Sequence, residues 1–88
     1  MSAPSGWTDD GGALRRIYIM AGFNAAIGLM GKIAILAEEA DHHPDLHLTG
    51  YRRLEIVLST HDAGDTVTKK DYDLAAKIEA LPKRLKDA

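Results

Sequence analysis

Glu38-Glu39-Ala40-Asp41-His42-His43-Pro44-Asp45 marks the point at which a long apolar helix gives way to an extended chain. The Pro44 ring disfavours helical geometry at the residue before it, so His43 is expected to be extended already. Two adjacent imidazoles are therefore presented on a hinge between helix and strand. Upstream, Phe23, Ala26, Ile27, Met30, Ile33 or Ala34, and Ala37 recur at three- and four-residue steps. This predicts a helix from about Phe23 to Ala40, weakly capped by Gly22, with those residues on one stripe. A second arc of Leu29, Ile33 and Leu36 makes the apolar surface wider than one sheet needs, and small residues beside it leave room for another helix.

Downstream of the hinge, Leu46 and Leu48 alternate with His47 and Thr49 in an extended run from Asp45 to Tyr51. Leu54 to Thr60 is a second strand, with Leu54, Ile56 and Leu58 facing the core. If it doubles back on the strand leaving Pro44, His61 at its end returns towards His42 and His43. Asp62-Ala63-Gly64-Asp65 then makes a loop. Thr68 and Asp71 have the spacing of a capping box for a helix whose stripe is Leu74, Ala75, Ile78 and Leu81, ended by Pro82. Lys83 to Lys86 reads as a solvated tail and residues 1–6 as a flexible start.

Ahead of the long helix, Trp7-Thr8 opens a short edge strand and Asp9-Asp10-Gly11-Gly12 turns it into a second strand over Ala13–Met20. That strand places Leu14, Arg16, Tyr18 and Met20 on one face and Arg15, Ile17 and Ile19 on the other. The order β-β-α-β-β-α predicts an α+β fold: a four-stranded antiparallel sheet with two helices packed on one face, in a single domain spanning 1–88.

Composition narrows the function. With 88 residues, 45% hydrophobic and 27% charged, the chain has globular values. A domain of this size buries only about 60% of its unfolded surface, and oligomerisation is a usual remedy. Eleven basic against 13 acidic residues give a net charge of -2, with the basic residues scattered as short pairs, which argues against a nucleic-acid partner. Cysteine is absent, so thiolate nucleophiles, disulfides and Cys-ligated zinc are excluded. Ala25–Ala37 is interrupted by Gly28, Gly31 and Lys32 and is too short to span a bilayer. No signal peptide is visible, and a cytoplasmic location without membrane attachment is the expectation.

Three groups that titrate near neutrality, His42, His43 and His61, would share one locus, which suits proton transfer. Glu38 lies four residues before His42, so one helical turn would bring its carboxylate to that imidazole if the helix persisted. A metal site built from His42, His43, His47 and His61 with Asp41 and Asp45 is the competing reading. Neighbouring side chains diverge in extended geometry and serve one tetrahedral ion poorly, which favours a metal-free site and leaves His47 as an exposed strand residue. Asp71 has a sufficient account as a capping acid, and a helix start facing the site would present its carboxylate there too. Trp7, Tyr51 and Tyr72 read as packing residues. No phosphate loop and no serine-nucleophile motif occurs.

The ordered blocks Glu38-x-x-x-His42-His43-Pro44, Tyr51, Ser59-Thr60-His61 and Val67-Thr68-Lys69-Lys70-Asp71 resemble the signature of the pterin-4a-carbinolamine dehydratase family. Ala13-Leu14-Arg15-Arg16, Phe23, Ala34-x-x-Ala37-Glu38 and Leu74-Ala75-Ala76-Lys77-Ile78 agree, so the resemblance runs from about Trp7 to Leu81. It implies an enzyme that removes water from 4a-hydroxytetrahydrobiopterin to give quinonoid dihydropterin, in recycling of tetrahydrobiopterin. By position it implies His42 and His61 as acid/base groups and His43 as a substrate-binding and catalytic partner. Asp41, Pro44, Ser59, Thr60 and Asp62 would bind the pterin, with Glu38 and Asp71 as supporting acids and no metal or organic cofactor. The family forms homodimers or homotetramers, and some animal members also act as dimerisation cofactors of a transcription factor. A non-catalytic oligomerisation module of the same fold is thus the alternative. Two local departures stand out: Leu46 where many relatives have tryptophan, and Asp65-Thr66 where the family has a single glycine, which sets Asp71 one residue further from His61.

Overall fold

The structure, a computed structural model, describes residues 2–87. Its elements follow the predicted order: β1 (Thr8–Asp9), β2 (Leu14–Ile19), α1 (Phe23–Ala40), β3 (Asp45–Thr49), β4 (Arg53–Leu58) and α2 (Lys69–Ala80), with a single 3-10 turn over His61–Ala63. The strands form one antiparallel sheet in the order β1-β2-β4-β3. It is the expected α+β architecture. Period-two alternation puts Leu14 opposite Leu58, Tyr18 opposite Leu54, and Leu46 opposite Ile56. These side chains join Leu29 and Ile33 of α1 and Leu74 and Ile78 of α2 in one apolar cluster.

The buried stripe of α1 is Ala26, Leu29, Ile33 and Ala37. Phe23 and Ile27, expected on that stripe, are instead 54% and 46% exposed. Two overlapping arcs satisfied the helical period, and the arc with alanine at both ends lets the helix backbone lie closer to the sheet. Ile35, at 63% exposure, continues the uncovered apolar surface.

A polar knot closes the sheet side of α2. Glu79 Oε1 accepts hydrogen bonds from Trp7 Nε1 at 2.8 Å, Tyr18 Oη at 2.5 Å and Arg16 Nε at 3.2 Å. The Arg16 guanidinium also lies 4.3 Å from the centre of the Tyr18 ring. Trp7, read as a packing residue, is buried here.

The segment after Pro82, expected as a solvated tail, is docked. Leu85 bridges to Met20, Ala21 N–H donates to Arg84 O at 2.8 Å, and Lys86 N–H donates to Ile19 O at 2.9 Å. Lys83 Nζ donates to the carbonyls of Ile78, Glu79 and Leu81 where α2 ends, adding to the bond that Ile78 O already accepts from Leu81 N–H. The reason is packing: Leu85 covers the apolar cluster beside Met20. At the other end Ala3 packs on the same cluster, and Trp7 N–H closes a turn onto Pro4 O, so the expected flexible start is also anchored. Met1 and Ala88 lie outside the described residues. Among the described residues no helix is long and apolar enough to cross a membrane.

Candidate active site

Helix α1 ends because Asp41 adopts the left-handed conformation at φ 49°. Asp41 N–H bonds Glu38 O at 3.3 Å and His42 N–H reaches back to Ala37 O at 3.1 Å, the paired closure of a Schellman turn. Aspartate tolerates this conformation better than most residues. The turn rotates the chain off the helix axis, so His42 no longer sits one helical turn after Glu38. The expected Glu38–His42 pairing is therefore replaced: Glu38 Oε2 lies 2.6 Å from His43 Nε2, and His42 swings towards α2.

There His42 Nε2 meets Asp71 Oδ1 at 2.6 Å. Their side chains are 10% and 0% exposed. Asp71 is the third helical residue of α2 behind the Thr68 N-cap, and Thr68 N–H donates to Asp71 Oδ2 at 2.9 Å. The Thr60 hydroxyl donates to the same oxygen at 2.7 Å. Since its one proton is spent there, the 2.7 Å contact between the Thr60 and Thr68 hydroxyls runs from Thr68 to Thr60. A buried carboxylate thus accepts from a backbone amide, a hydroxyl and an imidazole, which meets the requirement that buried charge be fully hydrogen-bonded.

Antiparallel pairing of β3 with β4 returns the chain as expected, and His61 arrives beside the pair. Its Nδ1 lies 2.6 Å from Asp65 Oδ1. That bond, with the charge of Asp65 and smaller contributions from Asp45 and Asp62, holds the His61 imidazole above its ordinary pKa of 6.5. Thr60 N–H bonds Thr66 O at 2.9 Å and the two residues form an isolated bridge, which pins the base of the loop carrying His61 and Asp65.

The result is a polar cleft of about 190 Å³. Asp41, His42 and His43 line it from the end of α1, Ser59, Thr60, His61 and Asp62 from the end of β4, and Lys70 from the first turn of α2. Ser59 Oγ is buried with no hydrogen-bond partner among the described residues, an orphan that a bound polar ligand would satisfy. Pro44 and Glu38 stand outside this cleft. They line a neighbouring recess of about 220 Å³ with Ile33, Ala34, Ala37 and Leu46, and His43 borders both. A hollow of about 290 Å³ between α1 and the C-terminal segment carries Lys32, Lys83 and Arg84 and, among the described residues, no imidazole or carboxylate. Lys70 and Asp65 escaped the sequence reading. The adjacency of Lys70 to Asp71 in a helix start facing the site was the available signal, whereas the role of Asp65 depends on a loop conformation that no spacing rule supplies.

Each imidazole in the cleft thus has its own carboxylate, drawn from a different element. His42 and His43 are left with Nδ1, and His61 with Nε2, as the ring nitrogen open to a ligand. Among the described residues no group of three or more His, Asp or Glu side chains converges as a metal site would.

Fold and site together define a small α+β protein with paired histidines after a helix and a third returned by a strand. Sequence comparison says which one: the profile of the Pterin 4 alpha carbinolamine dehydratase family matches residues 1–81, and the chain belongs to that family. It is 44% identical over 79 residues to a protein of Rhodopseudomonas palustris (strain HaA2) provisionally named a pterin-4-alpha-carbinolamine dehydratase, with 88% of this chain and 76% of that one covered. A relative of the same provisional name from Roseiflexus castenholzii (strain DSM 13941 / HLO8) is 43% identical, covering 88% of this chain and 81% of its own. The crystal structure of a transcriptional coactivator/pterin dehydratase from Brucella melitensis superposes with a TM-score of 0.78 at 33% identity, over 86% of this chain and 81% of that one. A pterin dehydratase-like protein described as a RuBisCO assembly factor of the alpha-carboxysome shares the fold, with a TM-score of 0.68 at 20% identity over 85% and 87% of the two chains.

Proposed function

We propose that this chain dehydrates a 4a-hydroxytetrahydropterin, releasing water and the quinonoid dihydropterin, with histidines as the acid and base. The observation that carries the reading is the convergence of three imidazoles on one cleft, each held by its own carboxylate at 2.6 Å. In the reaction the C4a–O bond breaks, N5 gives up its proton and a C4a–N5 double bond forms. One donor and one acceptor are required.

His42, with Nε2 bound to Asp71, offers Nδ1 to take the N5 proton. His61, whose charged form is favoured by Asp65, gives a proton to the departing hydroxyl. The two exchange protons with solvent between turnovers. His43 binds the substrate, and Asp41, Ser59, Thr60 and Asp62 complete the pocket. Pro44 shapes the adjoining recess, and Glu38 and Asp71 fix the tautomers of their imidazoles. Well-placed acid/base groups supply about 100- to 10,000-fold.

A non-catalytic oligomerisation role has one observation in its favour, the uncovered Phe23, Ile27 and Ile35 on α1. That surface suits a homodimer or homotetramer and is compatible with catalysis. The deciding experiment follows the ultraviolet absorbance of freshly generated 4a-hydroxytetrahydropterin, in chelator, with wild type, His61→Ala and no protein. Faster decay with wild type alone supports the dehydratase; equal decay in all three moves the function to the oligomer surface.

A further inference from the structure

We infer that Asp65 is a positioning residue for His61: its carboxylate holds the Nδ1 proton and so commits Nε2 to the cleft as the proton donor. The inference rests on the dehydratase reading and adds to it a residue that the sequence motifs do not contain.

The geometry has three parts. Asp65 Oδ1 lies 2.6 Å from His61 Nδ1, within the range of charge-assisted bonds. The residues face each other across a 3-10 turn that ends at Gly64, φ 82°, and Asp65 itself has φ 56°. Two successive left-handed residues curl the chain back so that the carboxylate meets the ring edge rather than solvent. The loop is closed at its base by the Thr60–Thr66 bridge, so the pair is carried as a unit on the end of β4.

An imidazole with both nitrogens free exchanges between tautomers and rotates about its side-chain bonds. With Nδ1–H donated to a carboxylate, the neutral form keeps its lone pair on Nε2, and the charged form presents Nε2–H. Other charged or titratable groups facing His61 are Asp62 on its own turn, Asp45 at the start of β3, and Asp41, His42, His43 and Lys70 across the cleft. Asp65 is the one that bonds the ring. Its hydrogen bond is the first cause of the upward displacement of the His61 pKa, ahead of all through-space charges. Both side chains are well exposed, at 73% and 74%, so the pair contributes orientation and charge preference rather than stability.

The test compares wild type, Asp65→Asn and Asp65→Glu, with the His61 resonances assigned by their loss in His61→Ala. Nitrogen-15 NMR of the imidazole should show neutral His61 protonated on Nδ1 in wild type. In Asp65→Asn the tautomer should shift towards Nε2–H and the titration midpoint should fall. An unchanged midpoint and tautomer in Asp65→Asn overturns the pairing, whatever the activity. In the dehydration assay, Asp65→Asn should lose rate chiefly on the alkaline side of the pH profile, where His61 is no longer charged, with Asp65→Glu recovering part of it. A loss equal at every pH overturns the positioning role. Wild-type protein that leaves the decay of the carbinolamine unaccelerated refutes the dehydratase reading instead, while the imidazole titration still decides whether Asp65 governs His61.

Discussion

Asp71 and His42, separated by 29 positions in sequence, are joined by a 2.6 Å bond at the buried wall of the cleft. The carboxylate is fully buried and belongs to the first turn of α2, where the helix dipole favours negative charge. Asp71→Asn keeps the shape but cannot accept from imidazole, hydroxyl and amide alike. Dehydration should fall by about 100-fold or more, with a changed pH profile marking the loss of an oriented His42. Stability should drop by about 1–3 kcal/mol in urea denaturation, the cost of leaving buried partners unsatisfied.

Thr60→Val separates the structural share of that arrangement. It removes one donor to Asp71 Oδ2 and the acceptor for the Thr68 hydroxyl while leaving the His42 bond intact. About 1–2 kcal/mol of stability should be lost. Thr60 also lines the cleft, so part of the change should fall in KM, while kcat should drop far less than in Asp71→Asn; an equal fall in kcat would show that the effect of Asp71 does not run through its bond to His42.

Glu38→Gln tests the contrast between buried and exposed pairs. The Glu38 and His43 side chains are 76% and 59% exposed, so solvent and salt screen their interaction. Stability should stay within about 0.5 kcal/mol of wild type. Any rate loss should be under about 10-fold, below the range expected for an acid or base.

Glu79 ties stability to acid pH. Partial burial would raise its pKa, but the hydrogen bonds from Tyr18, Arg16 and Trp7 outweigh it and leave the carboxyl below its ordinary 4.5. A depressed folded-state value contributes stability that is fully present above the unfolded value and lost as pH falls through the folded one. Glu79→Gln should therefore destabilise at neutral pH by about 1–3 kcal/mol. The gap from wild type should narrow as the pH is taken below the ordinary 4.5 and the wild-type carboxyl becomes protonated.

Leu85→Asp or truncation after Pro82 probes the docked C-terminal segment. Exposing the apolar surface beside Met20 and freeing the α2 carbonyls held by Lys83 should lower the unfolding midpoint, by about 1–3 kcal/mol. A variant as stable as wild type would show that the segment adds nothing.

Much of this was legible in the sequence, and the reasons differ by element. The bounds of helix α1 near Phe23 and Ala40 were legible because the apolar period is long and Pro44 disfavours helix at His43. The rotation of that helix was not legible, since two arcs met the same period and only packing chooses between them. The return of His61 followed from strand alternation. The partners of the histidines did not, because Glu38 at four residues from His42 is a helix rule, and the left-handed Asp41 ends the helix before the rule applies. The docked tail was missed because four residues with three charges read as solvated, although the single Leu85 decides their fate.

The Thr60–Thr66 bridge also separates the loop that carries His61 from the contact between Asp71 and His42. Length is absorbed above the bridge, and Thr60, Thr68 and Asp71 stay together below it. Closing a longer flexible loop is cheap, about 0.6 kcal/mol for a doubling. Residues 61–65 are therefore closed off from the buried Asp71–His42 pair by the bridge. A change in that loop would reach His61 and its neighbours while His42 and His43 keep Asp71 and Glu38 as partners, so the two halves of the cleft are mechanically separable.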